Sequence, residues 1–403
     1  MPSINEPLNR KLRMALVGGG GNAFIGRVHA AAATLDHRAE LVAGALSSDP
    51  EKARAAGSAF GIATSRAYGS YLELIRAESQ LPEDQRIDFV SIATPNDTHF
   101  EIAQAALNTG LNVVCEKPMT IGLSQAEALA ELVEQTGAGF ALTHSYTGYP
   151  LVRHAREMIR SGELGEIQAV RVRYLQSGLR GWEPGKVPER GAWKSDPTKA
   201  GPSGTMADIG THAFHLMRYV TGLAPCEVAC QLKSFVPNRP LDDYGHAVIR
   251  FASGALGTIT VSQVSHGRLN DLVMEVDGSK GSLSWRQEEP DILVFRRFGK
   301  PAEIHERNPR VSLIHASARQ ACRLPGGHPE GFLEAFANVY RDCFDHMILR
   351  ATGQTFDAHN ASYPNVYDGV EGVFFVEQCV ASSRDNAAWK PLRQELARNA
   401  WSS

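Results

Sequence analysis

At 403 residues, with 43% hydrophobic and 21% charged content, the chain is too long for one small core and is expected to form two ordinary globular domains. A net charge of −3 excludes a basic field for nucleic acid and a polybasic membrane patch, and no apolar run approaches the length that crosses a bilayer. Met1 to Lys11 is polar and is expected to be neither a secretion signal nor an anchor, while six scattered cysteines without a CxxC pair are expected to be buried thiols in a reducing cytoplasm.

The first third alternates two textures. Leu12 to Val17, Leu41 to Leu46, Phe89 to Thr94, Asn112 to Cys115 and Phe140 to Thr143 are short apolar runs. Between them Gly26 to Leu35, Pro50 to Phe60, Thr98 to Asn108 and Ser124 to Thr136 have helical periodicity. Near-continuous apolar strands separated by amphipathic helices predict a parallel sheet covered on both faces. After about Ser145 a helix at Leu151 to Arg160 is followed by strand-like segments: Ile167 to Gln176, Cys226 to Phe235, His246 to Phe251, Leu256 to Val264, Leu272 to Val276 and Ser282 to Trp285. Turns such as Ala252-Ser253-Gly254 join several of them, which predicts a largely antiparallel sheet. Helices at Glu330 to Thr352 and Asn365 to Ser382 close the chain, and the polar stretches Ser177 to Ser203 and Glu303 to Gly327 are read as functional loops. The fold class is α/β: a first domain over 1–143 built on the parallel sheet, then a second over 144–403 with a large, mostly antiparallel open sheet.

Met14-Ala15-Leu16-Val17 runs into Gly18-Gly19-Gly20-Gly21. A glycine turn between a strand and a helix lets backbone N–H groups approach a pyrophosphate that a Cβ would exclude. Gly18 and Gly20 take the first two glycine positions and Gly26 the third. Gly21 to Ile25 then lengthen the usual turn, so Asn22, Ala23, Phe24 and Ile25 join the cofactor candidates. Ser47 and Ser48 stand where an acid would select NAD, leaving NAD and NADP both open; Asp49 reads as the cap of the helix at Pro50. Thr94-Pro95-Asn96, with His99, is expected under the nicotinamide side, and doubles as a turn before a helix.

Val113-Val114-Cys115 ends abruptly on Glu116-Lys117-Pro118. Ligands of open α/β sheets lie at carboxyl strand ends, so Lys117 is the candidate to take a hydroxyl proton, with Glu116 beside it. Farther on, Asp208, His212 and His215 would share a helix face at i, i+4 and i+7. His212 is then the acid–base partner of Lys117, Asp208 the group that orients it. A zinc site and a plain core role for His215 are the rival readings.

These motifs, with the turn ending Ile25-Gly26-Arg27-Val28-His29 and the segment Ile92 to Asn96 with His99, resemble the glucose-fructose oxidoreductase / inositol dehydrogenase (Gfo/Idh/MocA) family over nearly the whole chain. The resemblance implies a Rossmann dinucleotide-binding domain over 1–143 followed by an open-sheet α/β domain for substrate binding and oligomerisation over 144–403, and an active-site lysine, aspartate and histidine at Lys117, Asp208 and His212. It also implies homodimers or homotetramers that oxidise or reduce pyranosides, inositols and related polyols with NAD or NADP. Two departures stand out: the lengthened turn, and His215 where the family often has aspartate. Gly326 to Gly331 is similar to a segment of one sub-branch and nominates His328 as substrate-binding, against a helix start at Pro329. His144, Tyr146, Trp193 and Lys194 are further substrate candidates, Trp193 against the alternative of packing. The expected activity is a sugar or polyol dehydrogenase. The alternatives are a redox-neutral glycosidase that oxidises, eliminates and re-reduces, and a cofactor-binding sensor without turnover.

Overall fold

The computed structural model describes residues 5, 6, 8–21, 23–179, 192–311 and 314–392. The chain forms two compact units. The first comprises Met1–Thr120, Ser124–Thr143 and Phe336–Val370, the second Ile121–Leu123, His144–Ala335 and Glu371–Ser403.

In the first unit β1 (Leu12–Gly18), α1 (Phe24–Thr34), β2 (Ala39–Ala45), α2 (Pro50–Ala56), α3 (Tyr71–Ser79), β3 (Phe89–Ala93), α4 (His99–Asn108), β4 (Asn112–Cys115), α5 (Leu123–Thr136) and β5 (Phe140–Leu142) follow one another. The strands form a parallel sheet in the order β2-β1-β3-β4-β5. Every residue of β3, β4 and β5 is buried, which is why these runs carry no polar alternation. The register pairs Gly18 with Ala93 and Ile92 with Cys115, so three strands end level. The glycine turn, the Thr94 loop and Glu116-Lys117 therefore leave the same edge of the sheet.

Helix α3 escapes apolar-period reading but carries a local signature. Ser70 caps it by accepting from the Glu73 N–H at 3.1 Å, in an S-x-x-E box. The expected Pro50 to Phe60 helix divides into α2 and a tighter turn, Gly57–Phe60.

The second unit holds α6 (Pro150–Arg160), β6 (Ile167–Leu175), α7 (Pro197–Ala200), α8 (Thr211–Thr221), β7 (Pro225–Lys233), β8 (Tyr244–Phe251), β9 (Leu256–Ser262), β10 (Asp271–Gly278), β11 (Ser282–Arg286), β12 (Ile292–Arg296), β13 (Glu303–Glu306) and α9 (Ala316–Ala321). Then come α10 (Phe332–Ala351), α11 (Val366–Arg384) and β14 (Lys390–Pro391). Nine strands pair in the order β13-β12-β11-β10-β6-β9-β8-β7-β14, antiparallel except for β6 beside β9. Alternation along β6 and β10 turns Val170, Val172, Leu272, Met274 and Val276 into a core shared with Trp285, Phe214 and Phe375. The stretch Glu303 to Gly327, expected as loop, contains β13 and α9.

The single boundary expected at 143/144 needs a correction: Phe336–Val370 returns to the first unit. Tyr340 and Phe344 of α10 pack on Phe89 of β3, with ring centroids 6.2 and 5.5 Å apart. Two large aromatics seated on a central strand outweigh proximity in sequence.

His154 of α6 and His305 of β13 are buried against each other, Nε2 to Nδ1 at 2.7 Å, and His154 also packs on His315. Burial, then the neighbouring His305 and His315, lower the His154 pKa to about 3. An unfolded histidine binds its proton near pH 6.5, so between about 6.5 and 3 the unfolded state holds the extra proton. Stability from this site is full above pH 6.5 and falls as pH drops, by up to about 1.4 kcal/mol per pH unit. Melting temperatures from pH 7.5 to 4.5 are expected to fall more steeply for the native chain than for His154→Gln; parallel curves would refute the assignment.

Candidate active site

In the first unit the glycine turn is built by contact between backbones. Gly18 and Gly19 hold φ of +79° and +70°. A Cβ on Gly20 would sit 2.4 Å from the Leu46 carbonyl oxygen, and one on Gly26 2.2 Å from the Gly19 oxygen. Gly26 thus packs on Gly19, a residue absent from the sequence candidates. Helix α1 begins at Phe24, so Gly26 lies in its first turn and the N–H groups of Phe24 and Ile25 belong to the helix start. Ala23 donates its N–H to Gly20 at 3.2 Å, and Phe24 is 64% exposed. Asn22 lies outside the described residues. At the end of β2, Ser47 Oγ accepts from Asp49 N–H, and Asp49 caps α2 through Glu51 and Lys52 N–H, as its spacing predicts.

A closed cradle of backbone and a helix N-terminus fits a dinucleotide pyrophosphate. The Thr94 loop is clamped beside it. Thr98 donates to Thr94 Oγ1 at 2.8 Å, and the His99 ring lies 3.0 Å from both the Thr94 and Pro118 carbonyls. His99 is wholly buried, and its two carbonyl contacts hold the Thr94-Pro95-Asn96 loop in place. Burial lowers its pKa, against the pull of the two carbonyls.

Below Lys117 runs a relay that sequence reasoning missed. Ser91 Oγ meets Tyr340 Oη at 2.7 Å, and Tyr340 Oη meets His29 Nδ1 at 2.6 Å. His29 Nε2 reaches Glu116 Oε1 at 3.1 Å, to which Thr143 also donates at 2.7 Å. Burial pushes the Glu116 carboxyl up, but the His29 hydrogen bond and the charge of Lys117 outweigh it and hold the group below its ordinary value. Glu116 is thereby kept an anion whose Oε2 accepts from the Lys117 N–H at 3.3 Å. His29, three residues after Gly26, was the available signal.

The second unit carries its own polar cluster. A π-type turn at Met206–Gly210 precedes α8 and presents Asp208. Asp242 anchors this turn by accepting from Ser203 Oγ, Gly204 N–H and Met206 N–H at 2.6, 2.7 and 2.9 Å. Asp208 Oδ2 accepts from Lys194 Nζ at 3.0 Å and Gln263 Nε2 at 2.9 Å. Arg239, itself buried, grips Ser195 Oγ and the Lys194 carbonyl at 3.0 and 3.4 Å. Lys194 lies 5.7 Å from the centre of the half-buried Trp193 ring.

From Gln263 the network passes to Gln176, and Gln176 donates to Asn270 Oδ1 at 2.9 Å. Tyr174 donates to the same oxygen at 2.6 Å and bonds Tyr146. Burial, then Tyr146, raises the Tyr174 phenol far above its usual range, so it remains a donor. The Tyr146 ring packs edge-on to His212 at 4.8 Å, and the His144 ring stacks on His215 at 4.3 Å. His212 Nδ1 stands 3.3 Å from His144 Nδ1, so a histidine partner joins the carboxylate expected to orient it.

Gln176, Gln263 and Asn270 were not singled out in the sequence; Tyr174 and Gln176, two apart at a strand end, were the visible hint. His328 is exposed in a turn whose carbonyl accepts from Arg307, and its ring is not part of the cluster. Among the described residues no group of three His, Cys, Asp or Glu side chains could hold a metal ion.

Residues 12–144 match the oxidoreductase family with an NAD-binding Rossmann fold, and residues 152–284 match the GFO/IDH/MocA C-terminal domain. The "Uncharacterized oxidoreductase YfiI" of Bacillus subtilis is 30% identical over 385 residues, covering 95% of this chain and 97% of that one. The chain belongs to the Gfo/Idh/MocA oxidoreductase family. This Gfo/Idh/MocA chain is also similar to a solved inositol dehydrogenase homolog of Azotobacter vinelandii complexed with NADH and myo-inositol. That match has 36% identity and a TM-score of 0.87 over 95% of this chain and 98% of that one. A levoglucosan dehydrogenase complexed with NADH and levoglucosan is 26% identical, with a TM-score of 0.80 over 96% and 100%. As a Gfo/Idh/MocA member the chain is an NAD-binding oxidoreductase of the class that acts on sugar and polyol hydroxyls. Among the described residues no helix is long and apolar enough to cross a membrane.

Proposed function

We propose that this enzyme is a dehydrogenase for a ring hydroxyl of an uncharged cyclic polyol or anhydro-sugar. The observation that carries this reading is the hydrogen-bonded set Gln176, Gln263, Asn270, Tyr174 and Tyr146, which ends on Asp208 and offers neutral donors and acceptors of the kind that hydroxyls need. Relatives solved with myo-inositol and levoglucosan support the same class. When bound, NAD supplies the hydride-accepting chemistry. The protein's part is to orient the alcohol and take its proton, and we assign that acid–base work to Lys117 and His212, with Asp208 and Lys194 gripping neighbouring hydroxyls. Six free thiols suit the cytoplasm, and a homodimer or homotetramer is the proposed assembly.

The test mixes purified protein with NAD or NADP and a panel of inositols, anhydro-sugars, free sugars, sugar phosphates and aryl glycosides. Reduced-nicotinamide absorbance and aglycone release are followed separately. Net cofactor reduction with a neutral polyol is expected. Aglycone release without net reduction would replace the reading by the glycosidase alternative, and reduction only with sugar phosphates would refute the neutral substrate.

A further inference from the structure

The contact between His144 and His212 is a hydrogen bond between two like atoms, and that constrains its protonation. With Nδ1 facing Nδ1 at 3.3 Å, one nitrogen carries the hydrogen and the other the lone pair. Two imidazolium rings would set N–H against N–H, so while the bond persists the pair holds at most one extra proton. Among the described residues, His215 on α8 stacks on His144, and Tyr146 and Tyr174 pack against His212. Asp208, ion-paired with Lys194, lies one turn before His212. His144 is 2% exposed and His212 8%. The stack on His215, with planes 10° apart, fixes the His144 ring and so the aim of its Nδ1. His144, nominated from the sequence for substrate contact, thus has its Nδ1 on His212 and its ring face on His215.

We propose that His144 is a positioning residue: it accepts a hydrogen bond from His212 Nδ1–H, and so leaves the His212 Nε2 lone pair as the proton acceptor. This rests on the acid–base assignment of His212 above. The opposite arrangement, with His144 donating, blocks His212 Nδ1. A proton arriving on His212 would then put two N–H groups face to face. Only with His144 as acceptor can His212 gain a proton at Nε2 and keep the bond, now strengthened by charge. The cycle balances: the alcohol O–H proton moves to Nε2, the Nδ1–H stays in place, and the proton returns to water from Nε2 after the product leaves.

The test compares the native chain with His144→Phe, which keeps a stacking ring without the acceptor, and His144→Asn, which restores a carbonyl acceptor. Nitrogen-15 spectra of histidine-labelled, cofactor-free protein, assigned through the signal missing from His212→Gln, read the His212 tautomer without any turnover. A pyrrole-type Nδ1 is expected in the native chain, with pyridine-type character growing in His144→Phe. In parallel, kcat for the responsive polyol is expected to fall about 10- to 100-fold in His144→Phe, the range for partners that orient a functional imidazole. KM should be unchanged, the acid limb of kcat/KM should move to lower pH as the imidazolium loses its acceptor, and His144→Asn should recover most of the loss. A pyridine-type His212 Nδ1 in the native chain overturns the proposal. So does an unaltered tautomer and acid limb in His144→Phe, which would make His144 packing alone. If no polyol is oxidised by the native chain, the functional reading fails while the spectra still decide the tautomer.

Discussion

Lys117→Ala is expected to lower kcat by about 10²- to 10⁴-fold, the range for a positioned acid–base group, while leaving NAD binding and the melting temperature nearly unchanged. The separation follows from where Lys117 sits. Strand β4 ends at Cys115 with its register already fixed by β3 and β5, and the substitution keeps the main-chain N–H that bonds Glu116. The side chain is half-buried and belongs to no apolar cluster, so its removal opens no core cavity. Glu116 stays anchored by His29 and Thr143. The measurement pairs steady-state kinetics with NAD titration by melting temperature. Turnover within tenfold of the native chain would refute the role of Lys117.

Gly26→Ala is expected to abolish the NAD-induced rise in melting temperature and to cost about 1–3 kcal/mol of stability, as overpacking does. The added methyl would lie 2.2 Å from the Gly19 oxygen and 2.5 Å from its Cα, both backbone atoms that no side-chain rotation can move. Helix α1 must then shift from the turn, and the helix start and glycine amides no longer converge on one pyrophosphate. Gly21→Ala is the control within the same turn. Its Cβ meets nothing within 4 Å, and the cost is the left-handed φ of +61°, roughly 1–2 kcal/mol. It should keep the NAD response. Equal responses in the two variants would refute the packing account, because backbone strain alone would then explain both.

Much of this protein was legible in its sequence, and for a local reason. Runs such as Phe89 to Ala93 and Asn112 to Cys115 are apolar throughout because they are buried on both faces, and that requirement is written in consecutive residues. Lys117 at a strand end, Asp49 as a cap and the four-residue spacing from Asp208 to His212 are local as well. Tertiary structure alone decided the rest. Tyr340 meets His29 across 311 positions of chain, and His144 meets His212 across 68, so no window of sequence contains either pair. The return of Phe336–Val370 to the first unit and the parallel pairing of β6 with β9 also arise from packing between distant segments. Local pattern sets which face of an element is apolar; which partner covers that face is settled only when the whole chain is closed.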